Sequence, residues 1–218
     1  CDVDEKTLCL STKTIDSAIT NKSKAVLYVS LYGNASELGE ITEYCKQNDL
    51  ILINDCAPAL FGTYNNKPIA SYGDFAALSF FADKTITTGE GGMLLTDNMD
   101  LISECNIYKH DGRRERGVDV IERKGFNYRL TELQAAVGVA QIGKSGRFIQ
   151  KKKENQQYFH SLLNNVNQVK VFDFNPEGDI VPHRNIIFVP NASELITHLV
   201  ENGVGARTLF MPMHSQPC

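Results

Sequence analysis

Hydrophobic and polar positions along the chain follow two periods, one typical of buried strands and the other of helices. Near-continuous apolar runs predict strands of a parallel sheet, because such strands are buried on both faces. These runs cover residues 24–30, 50–54, 75–80 and 92–96. Apolar residues at helical spacing follow them, at 36–47, 97–110, 131–144 and from 146 to about 164. The alternation predicts an α/β fold with a mostly parallel sheet between helices.

The last quarter of the chain has a different pattern. Two short apolar runs, "VKVFDF" and "NIIFVP", predict strands, and residues 193–202 have helical spacing. We therefore expect two domains. Residues 1–164 form a large α/β domain, and residues 165–218 form the start of a smaller α+β domain.

Composition and charge narrow the class of protein. The chain is 42% hydrophobic and 22% charged, with a net charge of −4 and no basic stripe, which argues against a nucleic-acid partner. No apolar run approaches the ~20 residues that a membrane-spanning helix needs. Six cysteines are scattered without metal-ligand spacing. They are typical of reduced thiols and predict a cytoplasmic protein without a metal site.

Three polar side chains fall at or just beyond the ends of predicted strands. Asp55 follows one strand, whereas Ser79 and Lys84 end and follow another. The carboxyl ends of parallel strands are where α/β proteins bind ligands. An amine there can contact a phosphate or form a Schiff base with an aldehyde cofactor. The alternatives without a chemical role are a solvated lysine and a turn-forming aspartate. The residues alone do not decide between these and a ligand site.

The surrounding motifs carry a family resemblance. The run "NDCAPALFGTYNNKPIASYGDFAALSFFADKTITTGEGGMLLTD", with "LYGNASEL" before it and "GFNYRLTELQAAVGVAQI" after it, resembles the DegT/DnrJ/EryC1/StrS sugar aminotransferases. These are pyridoxal 5'-phosphate (PLP) enzymes of fold type I, the aspartate aminotransferase-like fold. The wording "KTITTGEGG" is similar to the perosamine-forming branch, which aminates C4 of a 4-keto-6-deoxyhexose.

The resemblance implies a role for each candidate residue. Lys84 would bind PLP as a Schiff base, Asp55 would pair with the ring nitrogen, and Ser79 would bind the cofactor phosphate. Asn127 would reach the cofactor phosphate of the partner subunit, in a homodimer with shared active sites. Glutamate would be the amino donor, and a nucleotide-linked keto sugar the acceptor.

The sequence also departs from the family. Pro58 stands where Gln, His or Glu is common, so that position lacks a side-chain donor. The family's opening portion has no counterpart, and we expect the chain to be a fragment. Two alternatives therefore stay open. One is a non-catalytic protein of the same fold, and the other is a sugar dehydratase, although related dehydratases carry His at the position of Lys84.

Overall fold

The computed structural model describes residues 1–217, so Cys218 lies outside the described residues. In chain order the elements are α1 (Thr12–Asp16), β1 (Ala25–Val29), α2 (Leu38–Gln47), β2 (Ile51–Asp55), β3 (Thr63–Tyr64), β4 (Lys67–Pro68), β5 (Phe75–Ser79), β6 (Gly92–Leu95), α3 (Met99–Lys109), α4 (Glu132–Ile142), α5 (Ser145–Leu163), β7 (Lys170–Val171), β8 (Gly178–Asp179), β9 (Ile187–Phe188) and α6 (Ala192–Glu201).

The central sheet has the order β1-β2-β5-β6. β1 pairs in parallel with β2, and β2 pairs in parallel with β5. β6 follows β5 through a loop and returns antiparallel to it. The four predicted strands and the mostly parallel sheet are confirmed.

One face of this sheet forms the core. Tyr28, Leu52 and Ala76 alternate with outward-facing neighbours and are almost completely buried. α2 covers this face, with Leu38 and Ile41 on its buried side. The opposite face is more open, since Leu27 and Ile51 are 59% and 46% exposed. Asp55 lies on the open face, because side chains alternate along β2 and Leu52 points the other way.

The predicted helices over the large domain are all present. α4 begins at a capping box, in which the Thr131 and Gln134 side chains each bond the other's backbone N–H. α4 is apolar, yet none of its residues is buried. Leu133 and Val139 are 83% and 73% exposed, which leaves an apolar helix surface without a cover in the described part of the chain.

Several short elements could not be predicted from the sequence pattern. α1 has five residues, too few to show a helical period, and a capping box at Ser11 and Thr14 begins it. β3 and β4 have two residues each and form a small antiparallel sheet with β8. The strands predicted from "VKVFDF" and "NIIFVP" contribute only β7 and β9.

The chain divides into two compact units. The first comprises Cys1–Gln156 and Asp173–Arg184, and the second comprises Gln157–Phe172 and the residues from Asn185 onward. The first contains the central sheet, and β7 pairs with β9 in the second. The expected domain boundary at residue 165 stays a prediction. Among residues 1–217, no helix has the length and apolar character needed to cross a membrane.

Candidate active site

Strand register brings Asp55 and Ser79 to the same edge and face of the sheet. Asp55 pairs with Ala77 of the neighbouring parallel strand, and Ser79 lies two residues further along that strand. Residues two apart on a strand point to the same face. With a rise of ~3.3 Å per residue and strands ~4.8 Å apart, the two Cα atoms lie roughly 8 Å apart.

Both side chains keep hydrogen-bonding capacity. The Asp55 carboxylate accepts a hydrogen bond from the Ala57 backbone N–H at 2.9 Å, and the Ser79 hydroxyl accepts one from the Phe81 N–H at 3.3 Å. Neither side chain has another hydrogen bond or ion pair among residues 1–217. Asn54, one residue earlier, points to the buried face and donates to the Ile69 carbonyl at 2.8 Å. Strand alternation therefore makes Asn54 structural and leaves Asp55 available for a ligand.

A pinned loop carries Lys84 between β5 and β6. The Phe80 carbonyl accepts the Thr88 N–H at 2.9 Å, and the Phe80 N–H donates to the Gly91 carbonyl at 2.8 Å. Ile86, a residue of this loop, is 3% exposed. Lys84 lies within this closed loop, so its backbone is held beyond the carboxyl end of β5.

The glycine-rich turn closes the loop against α4. Gly91 has φ +153°, and a Cβ there would lie 2.5 Å from Thr88 Oγ1, so a side chain would force the turn open. Gln134 of α4 donates to the Glu90 carbonyl at 3.0 Å. Gln141 accepts the Thr87 N–H at 3.4 Å. The "TTGEGG" motif thus closes the loop that carries Lys84 through its backbone hydrogen bonds.

Three further basic residues belong to the same electrostatic cluster as Lys84 and were not predicted as site residues from the sequence. Lys152 of α5, His183 and Arg184 interact electrostatically with it or with one another. Arg184 also forms an ion pair of 2.5 Å with Asp83, the residue before Lys84. No local motif could reveal this cluster, because Asp83 and Arg184 are 101 positions apart.

The cluster changes the protonation of its members. Burial, aided by the positive charges of Lys84, Arg184 and Lys152 and opposed by Asp83, lowers the pKa of His183 to about 4. Burial and the charges of Arg184 and Lys84 also lower the pKa of Lys152. His183 is therefore a neutral imidazole at neutral pH.

Asn127 has hydrogen-bonding partners of its own outside this group of residues. It forms an isolated antiparallel bridge with His110, and its carboxamide oxygen accepts a hydrogen bond from Arg129 at 2.9 Å. Asn127 is exposed. No hydrogen bond or ion pair joins it to Asp55, Ser79 or Lys84 within residues 1–217.

A family model matches this chain over its whole length. The DegT/DnrJ/EryC1/StrS aminotransferase family matches residues 1–218. The GDP-perosamine synthase of Escherichia coli O157:H7 is 35% identical over 225 residues, which cover 99% of this chain and 60% of that protein. The chain thus spans about 60% of the length of these curated relatives.

Solved structures have the same fold. An aminotransferase, TlmJ from Streptoalloteichus hindustanus, matches with a TM-score of 0.93 at 21% identity, over 99% of this chain and 60% of that chain. An E. coli GDP-4-keto-6-deoxy-D-mannose-3-dehydratase with bound hydrated PLP matches with a TM-score of 0.81 at 25% identity, over 94% and 58%. The predicted fold class is confirmed.

Acid is expected to destabilise the folded protein partly through His183. Its pKa is lowered from 6.5 to about 4 on folding, so below 6.5 the unfolded chain binds a proton that the folded protein does not. Stability therefore falls as the pH drops from 6.5 towards 4. The ring is half-buried and solvent screens its charge, so we expect His183→Gln to remove about 1 kcal/mol of this loss.

Urea unfolding at about pH 7 and about pH 4.5 measures the difference. His198→Gln is the matched control, because His198 is exposed on α6. An acid loss in His183→Gln that equals the loss in the unmodified protein would contradict the assignment.

Proposed function

The chain belongs to the DegT/DnrJ/EryC1/StrS aminotransferase family, and from this premise we propose that the full-length protein transfers an amino group to a nucleotide-linked keto sugar. Glutamate is the proposed donor. One observation carries the proposal. A lysine amine, Lys84, sits on a pinned loop beyond the sheet edge where Asp55 and Ser79 share a face.

The residues present fit pyridoxal 5'-phosphate. A flat ring with a basic nitrogen, an aldehyde and a phosphate needs a carboxylate, an amine, a hydroxyl and room to approach. Asp55, Lys84 and Ser79 supply the first three, and the small side chains of Ala57 and Ala77 supply the room on either side of Asp55. We propose that Ser79 holds the phosphate, while Lys84 holds the aldehyde carbon covalently.

Each residue then has a defined task. When bound, PLP supplies an electron sink that makes a proton on the amino-bearing carbon removable. Asp55, as a carboxylate, keeps a proton on the ring nitrogen. Lys84, once its amine is free, is the group that takes a proton from one carbon and returns it to another. The loop that carries Lys84 fixes the start of that proton path.

The finer substrate assignment rests on the named relative. The relative at 35% identity is a GDP-perosamine synthase. This similarity supports the proposal that the acceptor is a nucleotide-linked 4-keto-6-deoxyhexose, which is aminated at C4. The cytoplasmic location stays a prediction from the cysteine pattern.

We propose that the protein acts as a homodimer with shared active sites. The exposed apolar surface of α4 supports this, because a second copy would remove Leu133, Val139 and Ile142 from water. Asn127 lies five residues before α4 and is exposed on the same stretch of chain. A partner's Asn127 is therefore the proposed second contact to the cofactor phosphate.

Borohydride reduction tests the role of Lys84. A cofactor held as an imine should become a permanent adduct on reduction, and peptide mass analysis should find it on Lys84 alone. Lys84→Ala should give no adduct and no turnover. Lys84→Arg should also fail, because a guanidinium stays protonated and forms no imine.

Lys67→Ala is the matched control, since Lys67 is an exposed lysine on β4. The control should keep both adduct and activity. An adduct on another lysine, or turnover in Lys84→Ala, would refute the assignment. The absence of any adduct in a folded protein would favour the non-catalytic alternative.

Mixed dimers test the shared site. We expect Asn127→Ala alone to weaken cofactor binding about tenfold or more, as a lost hydrogen bond to a charged group costs ~1.5–3 kcal/mol. Subunits with only Lys84→Ala are then paired with subunits with only Asn127→Ala. If the two residues reach a given cofactor from different chains, one site has both lesions and the other has none.

Cofactor titration of the purified heterodimer gives the number of cofactor sites of normal affinity. The proposal predicts one site of normal affinity per heterodimer, with the reduced adduct on the Asn127→Ala subunit. Weakened binding at the site that retains Lys84 would mean that both residues serve one cofactor from one chain. The shared-site proposal would then be wrong.

A further inference from the structure

Lys152, His183 and Arg184 have no task in the amino transfer described above, yet the fold gathers them beside Lys84. Arg184 is fixed by its ion pair with Asp83 at 2.5 Å. Lys152 is fixed by the next residue of α5, because Lys153 forms an ion pair with Asp179 at 2.5 Å.

The position of His183 is set by tight backbone packing. Its N–H donates to the Tyr32 carbonyl at 3.0 Å. A Cβ at Gly33 would lie 2.6 Å from the Val181 carbonyl, so the segment before His183 presses on the turn after β1. His183 is therefore held at the same carboxyl end of the sheet that carries Asp55 and Ser79.

The charges in this cluster do not balance. Asp83 is the carboxylate that acts on both Lys152 and His183, and Arg184 already pairs with it. In the described part of the chain, the side chains of Lys84, Lys152 and His183 have no hydrogen-bonding or ion-pair partner. All three are half-buried. Basic groups that lose water without gaining an anion raise the free energy of the folded protein.

We propose that Lys152, His183 and Arg184 form an oxyanion-binding site beside Lys84, which takes a carboxylate or a phosphate group. A guanidinium carries five donors, so Arg184 can keep Asp83 and still bind a second anion. The lowered pKa values of Lys152 and His183 agree with a site that lacks its counter-charge. A bound oxyanion would raise both values, because it favours the protonated forms.

The identity of the anion rests on the proposed function. Glutamate would bring a carboxylate, and a nucleotide sugar would bring phosphate. Both are planar or tetrahedral oxyanions that lysine and arginine bind with charge-assisted hydrogen bonds. Inorganic phosphate and glutarate stand in for the two sources. Glutarate has two carboxylates and no amine, so it binds without reacting.

Thermal unfolding of the full-length, PLP-loaded protein tests the site. Loading fills the cofactor's own phosphate position, so added phosphate must bind elsewhere. A ligand that binds only the folded state raises the unfolding midpoint with its concentration. We expect Lys152→Met to weaken that binding about tenfold or more, and to leave the anion-free protein at least as stable as before. Lys151→Met is the matched control, since Lys151 is the exposed neighbour on α5.

The imidazole resonances of the unmodified protein give a second measurement that needs no foldable Lys152 variant. Assigned by His183→Gln, the His183 signal should titrate at a higher pH when the anion is bound. An effect with glutarate alone would assign the site to the amino donor, and one with phosphate alone to the nucleotide sugar. No effect with either probe, or an equal effect in Lys152→Met, would overturn the proposal.

These readouts are independent of the proposed reaction. They use stability and a histidine signal rather than turnover. If the anion site fails its test, the Lys84 adduct should still form. If the adduct is not found, an anion effect would still have to be explained, by a ligand other than the proposed substrates.

Discussion

The parallel register of three strands is the constraint on which the candidate site depends. β1, β2 and β5 run in the same direction, so their carboxyl ends meet at one edge of the sheet. The pairing of Asp55 with Ala77 then fixes Ser79 on the same face as Asp55. A slip of one residue would turn Asp55 to the core and Asn54 to the open face. The buried amide of Asn54, which bonds the Ile69 carbonyl, opposes such a slip.

The second requirement is a fixed amine. A lysine side chain is long and flexible, so its backbone must be held if its end is to meet a ligand reproducibly. The loop from Phe80 to Gly91 is held at its base by backbone hydrogen bonds and near its glycine turn by two glutamines of α4. The same helix exposes its remaining apolar surface. The proposed dimer contact and the lysine loop would therefore share one element.

The residues of the site that follow a local sequence pattern could be predicted. Strand ends can be located from apolar runs, and Asp55, Ser79 and Lys84 lie at or just after such ends. The residues that depend on long-range packing could not be predicted. His183 is positioned by backbone contacts with Tyr32 and Arg184 by an ion pair with Asp83, and neither contact leaves a mark in the local sequence.

Substitution of Asp55 distinguishes most directly between a working cofactor site and a turn with only a structural role. Its carboxylate is proposed to hold a proton on the cofactor ring, a role that matters to the reaction more than to binding. The measurement is turnover and cofactor affinity of full-length Asp55→Asn, compared side by side. We expect turnover to fall by orders of magnitude more than cofactor affinity. Equal losses in turnover and affinity would contradict it, because a residue that only shapes the turn after β2 would impair both together.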